Sequence, residues 1–171
     1  VDGVFALLTA SAGSISEGLS YWEVSRAFGW FGEEGTHERA FTEEFARDSY
    51  ENVLFSVARF KELTGHTPRN VTVVGYEFKR ERFVDLHRAA IRFPESRFNY
   101  VGTPAVHEEE SAAGEIEVRR SFSKDPYGCK GALGKKRESR DPFNLGQPYI
   151  CSNPDLEGLL RVCEGGGGGS G

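Results

Sequence analysis

The sequence predicts a three-layer α/β domain built on a mainly parallel sheet. Three observations carry that expectation. Val4 to Thr9 is a short apolar run, Val71 to Val74 is a β-branched one, and the segments around them repeat apolar residues at helical spacing. At 171 residues the chain suits one domain with one core. Hydrophobic residues reach only 38%, but 13 Phe and 6 Tyr supply large side chains to bury, which excludes disorder over most of the length.

In order along the chain, Val4 to Thr9 reads as a strand and Ala10-Ser11-Ala12-Gly13 as a small-residue turn. Ser14 or Ser16 then caps a helix carrying Leu19, Trp22, Val24, Phe28 and Trp30, with Glu17 in the first turn where a carboxylate suits the dipole. Gly32 to Arg39 is a polar loop. A second helix begins near Asp48-Ser49, where Asp48 and Glu51 fit a capping box. It continues through Val53, Leu54, Val57, Phe60 and Leu63 to a stop at Gly65. Asn70 to Gly75 has the pattern of a strand buried on both faces. A third helix, from about Phe78 to Phe93, turns Phe83, Leu86, Ala90 and Ile91 inward and ends at Pro94. Phe98 to Val101 is a further strand.

The stretch from Thr103 to Arg140 behaves differently. It carries Glu108-Glu109-Glu110 and Lys135-Lys136-Arg137 with no sustained period, and reads as an irregular, solvated excursion holding at most a short strand at Glu115–Val118. Asn153-Pro154 opens a short terminal helix over Asp155 to Cys163. The fold therefore spans 1–163, and the glycine-rich tail 164–171 is a flexible appendage or linker.

Several function classes are excluded or disfavoured. A formal net charge of -5 argues against gripping a nucleic-acid backbone. No apolar stretch is long enough for a membrane span. Cys129, Cys151 and Cys163 form no CxxC pair, so no metal site is expected, and an odd, sparse set reads as reduced thiols in a cytoplasmic protein. The chain opens at Val1-Asp2-Gly3 as though inside a fold. A sheet lacking a first strand would leave Val4–Thr9 or Val71–Val74 with an unpaired flank, which predicts self-association.

In open parallel sheets, ligands sit outside the carboxyl ends of the strands, beside helix N-termini. That rule selects Ser11 and Gly13 with Glu17, then Asp48 and Asn52, then Lys79 and Arg82. Small turns, hydroxyls, an amide and cations together suit a small anionic molecule. Lys79, Arg80 and Arg82 also fall in first helical turns, where cations oppose the dipole unless an anion is bound. Asp48 and Glu17 are the acid/base candidates. Asp48 equally fits a plain helix cap, Glu17 a surface residue, and His87 a core-edge residue one turn from Phe83. The competing reading is a protein-interaction module using the 103–140 excursion, with Phe122, Tyr127 and Phe143 as aromatic anchors.

The run Glu44-Phe45-Ala46-Arg47-Asp48-Ser49-Tyr50-Glu51-Asn52, followed by a helix and by Val71 to Phe83, resembles the YdcF/SanA-like domain of unknown function, in its fungal branch. Asp125-Pro126-Tyr127-Gly128-Cys129, Lys136-Arg137, Asp141-Pro142-Phe143 and Tyr149 to Leu160 are similar to the same branch, so the resemblance extends from about Ser14 to Cys163. Asp48, Ser49 and Asn52 match the family's helix start and Arg82 its arginine, while Phe78 replaces the usual histidine. The family's opening strand and glycine-rich turn have no counterpart, and Ser11-Ala12-Gly13 stands where Ser-Gly-Gly is usual. The resemblance implies a Rossmann-like fold and a nucleotide-type or other phosphate-bearing ligand, and no particular reaction.

Overall fold

The computed structural model describes residues 15–106 and 108–164 and shows a mixed α/β fold, mostly helical around a two-stranded parallel sheet. The predicted strand Val4–Thr9, the turn with Ser11 and Gly13, and the glycine tail lie outside the described residues.

Helix α1, Glu17–Ala27, starts where Ser16 Oγ accepts from the Leu19 amide at 2.9 Å, so of the two candidate caps Ser16 is the one used. Its apolar residues do not reach the core: Val24 and Phe28 stay exposed. Helix α2, Ser49–Thr64, is capped by Asp48, whose Oδ1 accepts from the Glu51 amide at 2.9 Å. Glu51 closes back on the Arg47 amide at 2.8 Å, one residue earlier than a capping box expects. Gly65 ends α2 in the left-handed conformation at φ 78°.

Strand β1, Val71–Tyr76, pairs in parallel with β2, Phe98–Thr103, with Val73 opposite Tyr100. The expectation of a strand covered on both faces is corrected. Along β1 half-buried and exposed positions alternate, and Val74, Tyr76 and Val101 face outward. Phe98 and Tyr100 of β2 point to the covered face. Gly75 is required there, because a Cβ would lie 2.8 Å from Tyr100 Oη. The crossover is a turn at Glu77–Lys79, a π-helical segment at Arg82–His87, and α3, Arg88–Ala90. It brings Phe83 and, just past α3, Ile91 onto α2 beside Val53, Leu54 and Val57.

The excursion is not irregular. It forms α4, Glu108–Lys124, and α5, Gly131–Arg140, and the expected strand Glu115–Val118 is interior to α4. Glu, Ala and Arg are good helix formers, so propensity decides where hydrophobic periodicity is faint. Glu115, Val118 and Phe122 share one face at i, i+3, i+7, but a buried carboxylate heads the stripe and hides it from an apolar reading. A three-residue turn, Pro154–Leu156, and α6, Glu157–Leu160, close the described chain.

The cysteine expectation is corrected as well. Cys129 and Cys163 form a disulfide with Cα atoms 5.2 Å apart, while Cys151 is free and exposed. The partners are 34 residues apart in sequence, so only the tertiary fold brings them within bonding range. No described helix is long and apolar enough to cross a membrane.

Candidate functional site

Hydrogen bonds from Ser49 to His87 and Arg82 hold the crossover that follows β1 against the first turn of α2. Asp48 and Arg82 are therefore drawn near one another across more than 30 residues of sequence, with Lys79 in the field of Arg82. Ser49, at the first position of α2, links them. Arg82 Nη1 donates to Ser49 Oγ at 3.0 Å, and Ser49 Oγ lies 2.8 Å from His87 Nε2. Burial pushes the His87 imidazole well below its usual pKa, with Arg82 and Arg137 adding to the shift. The ring's tautomer sets which of the two donates in this bond, and Nδ1 has no partner among the described residues. His87 is fully enclosed by Tyr50, Phe83 and Phe122, so its part is to hold Ser49 and, through it, Arg82.

Arg82 also faces Glu115 of α4, with Nε 2.8 Å from Oε1. Burial lowers the guanidinium's pKa and raises that of the carboxyl, each opposed by the other's charge. Asp48 uses both oxygens: Oδ1 caps α2, and Oδ2 receives Arg137 Nε at 2.5 Å. Burial raises the Asp48 carboxyl pKa despite Arg137. Arg137 lies 3.6 Å from Glu51, donates to the Tyr127 carbonyl, and reaches the disulfide sulfur of Cys163 at 3.1 Å. Gly128, at φ +66°, lets the chain pass: a Cβ there would sit 2.8 Å from Arg137 and 2.9 Å from Asp48.

Two lysines border this network without an ion pair among the described residues. Lys79, half-buried, stands over the rings of Tyr76 and Phe78 at 5.2 and 5.6 Å. Its pKa is lowered by burial and then by Arg82, with Glu115 and Glu17 opposing. Lys136 of α5 is lowered by burial, Arg140 and Arg82. Glu17 accepts from Tyr21 Oη at 3.2 Å and its field reaches Lys79. Asn52 lies one turn beyond Asp48, and its amide side chain makes no hydrogen bond among the described residues. Ser11 and Gly13 lie outside those residues, so their position is not part of this geometry.

Sequence reasoning placed Ser49 at the helix start but missed Glu115, Lys136 and Arg137 as members of the cluster. Lys136-Arg137 read as a solvated charge run, yet Arg137 is only 5% exposed. No local spacing encodes its pairing with Asp48, 89 residues away. Of the three proposed aromatic anchors, Phe122 is buried and Tyr127 packs edge-on against Tyr50, which leaves Phe143 exposed. Among the described residues, no group of His, Cys, Asp and Glu side chains is arranged to hold a metal ion.

The chain is similar to an uncharacterized protein of Saccharomyces cerevisiae, YOR238W, at 35% identity over 120 residues. The match takes in 63% of this chain and 40% of the yeast protein, so the chain spans less than half the length of that relative. No protein-family profile and no solved structure matches.

Proposed function

We propose that this chain is a Rossmann-like domain of YdcF/SanA type that binds a small anionic ligand, of the nucleotide or other phosphate-bearing class, at the carboxyl edge of its sheet. The observation that carries the reading is that Lys79 and Lys136, neither in an ion pair among the described residues, both lie within the field of Arg82, whose charge adds to burial in lowering their proton affinity. Cations that repel one another in a protein of net charge -5 are stabilised by an anion more than by their neighbours. The free amide of Asn52 and the half-buried Lys79 face that ligand, while Ser49 and His87 hold Arg82 in place. Glu17, whose field reaches Lys79, supplies a carboxylate at the rim. Asp48 acts through the fold, because both its oxygens are engaged.

Thermal unfolding in inorganic phosphate, pyrophosphate and adenosine monophosphate tests this. A ligand at 100 times its dissociation constant stabilises by about 2.7 kcal/mol. That gain disappears in a Lys79→Met/Lys136→Met double variant, and declines with rising pH at values below the ordinary lysine range. No saturable gain with any of the three, or an equal gain in the double variant, refutes the reading. The second reading, an interaction module, rests on Ile116, Phe143 and Leu145, apolar side chains exposed on and just beyond α4 and α5.

A further inference from the structure

A separate cavity of about 280 Å³ lies between α1 and the segment that follows it, with Tyr21, Trp22, Trp30, Phe31, Glu33 and Phe41 among its lining residues. Its walls are aromatic for a specific backbone reason. Gly29, Trp30, Phe31 and Gly32 are consecutive left-handed residues, at φ 59°, 54°, 56° and 84°. Two bulky L-residues in that region are strained, and strain of this kind gathers where a ligand is clamped. Glycine on either side lets the turn form, and the turn carries Trp30 and Phe31 to the cavity.

The ring geometry selects the ligand. Trp22 and Trp30 meet edge to face, at 79° with centroids 5.6 Å apart, so they form no parallel slot. A planar ring stacks between parallel plates, which this pair does not offer, whereas a compact, rounded cation needs only ring faces within reach. Arg26 already stands 5.8 Å from the Trp22 centroid, so this ring accepts a cation on one side. Glu33 is the one charged side chain among the lining residues, and its sign is complementary to a cation.

We propose that this cavity binds a quaternary ammonium group, caged by Trp22, Trp30 and Tyr21 with Glu33 at its rim. The chain has two tryptophans, and both line the cavity, so intrinsic fluorescence reports on it directly. The probes are choline and 3,3-dimethyl-1-butanol, which has the same shape with carbon in place of the charged nitrogen. Choline produces a saturable fluorescence change, and the neutral isostere binds at least about tenfold more weakly. Glu33→Gln, at an exposed position outside the core, weakens choline several-fold and leaves the isostere unchanged. Trp22→Phe, read through Trp30, weakens choline while keeping an aromatic wall. Equal affinity for the two probes shows a plain apolar crevice and overturns the proposal. The absence of any saturable response to choline also overturns it.

Discussion

The first turn of α2 and the cavity beside α1 are built from opposite materials. The first packs Asp48, Glu51, Arg82, Glu115 and Arg137 into the protein, each under a tenth exposed, with Ser49 and His87 among them. The second clusters Tyr21, Trp22, Phe31 and Phe41 at the surface, where Phe31 is 71% exposed. Charge is inside and aromatic surface is outside, the reverse of what residue type alone suggests. The difference is one of partners. Buried charges persist because each finds an opposite charge or a helix terminus. The aromatic rings of residues 21–41 lack a facing layer among the described residues, so they cover one another and leave a hollow.

Removing a partner from the charged region has the largest expected effect. Arg137→Met leaves Asp48 and Glu51 buried with less compensation, and costs about 3–5 kcal/mol by urea denaturation. A loss below about 1 kcal/mol shows that the ion pair does not hold this end of α2. A smaller effect comes from His87, whose pKa is lowered in the fold. The unfolded chain then binds more protons below about pH 6.5, so stability falls as pH drops through that value, by up to about 1.4 kcal/mol per unit. The raised carboxyls of Asp48 and Glu115 act with the opposite sign at lower pH. The difference between wild type and His87→Asn across pH 5–7.5 isolates the histidine, and identical slopes would show that His87 titrates normally. The smallest effect belongs to the aromatic region and reverses direction. Phe31→Gly removes left-handed strain at φ 56° and raises stability by up to about 1 kcal/mol, while opening one wall of the cavity. Measurable destabilisation by the same substitution would mean that Phe31 packs as a core residue does.

Local patterns fixed much of what is seen. Asp48 and Gly65 mark the limits of α2 because capping and left-handed termination need only neighbours in sequence. The β-branched run gives β1 for the same reason. The nearness of Arg82 to the helix start at Asp48 and Ser49 was legible because parallel-sheet geometry sends strand ends and helix starts to one edge. The sequence also contained, unread, the helix-forming composition of Glu108–Lys124. Its inner stripe begins with Glu115, and no periodicity of apolar residues reveals a carboxylate that is buried for the sake of an arginine.

Tertiary structure alone decided the rest, through contacts between residues far apart in the chain. Arg137 reaches Asp48 across 89 positions, Cys129 meets Cys163 across 34, and Ser49 is joined to His87 across 38. None of these pairings has a local signature, because a side chain's charge or thiol declares what it can bond but not which distant element will arrive beside it. The exposed face of β1 and the outward turn of α1 follow from the same rule. Sequence determines that a residue is apolar, and only the layers actually packed around it determine whether it is covered.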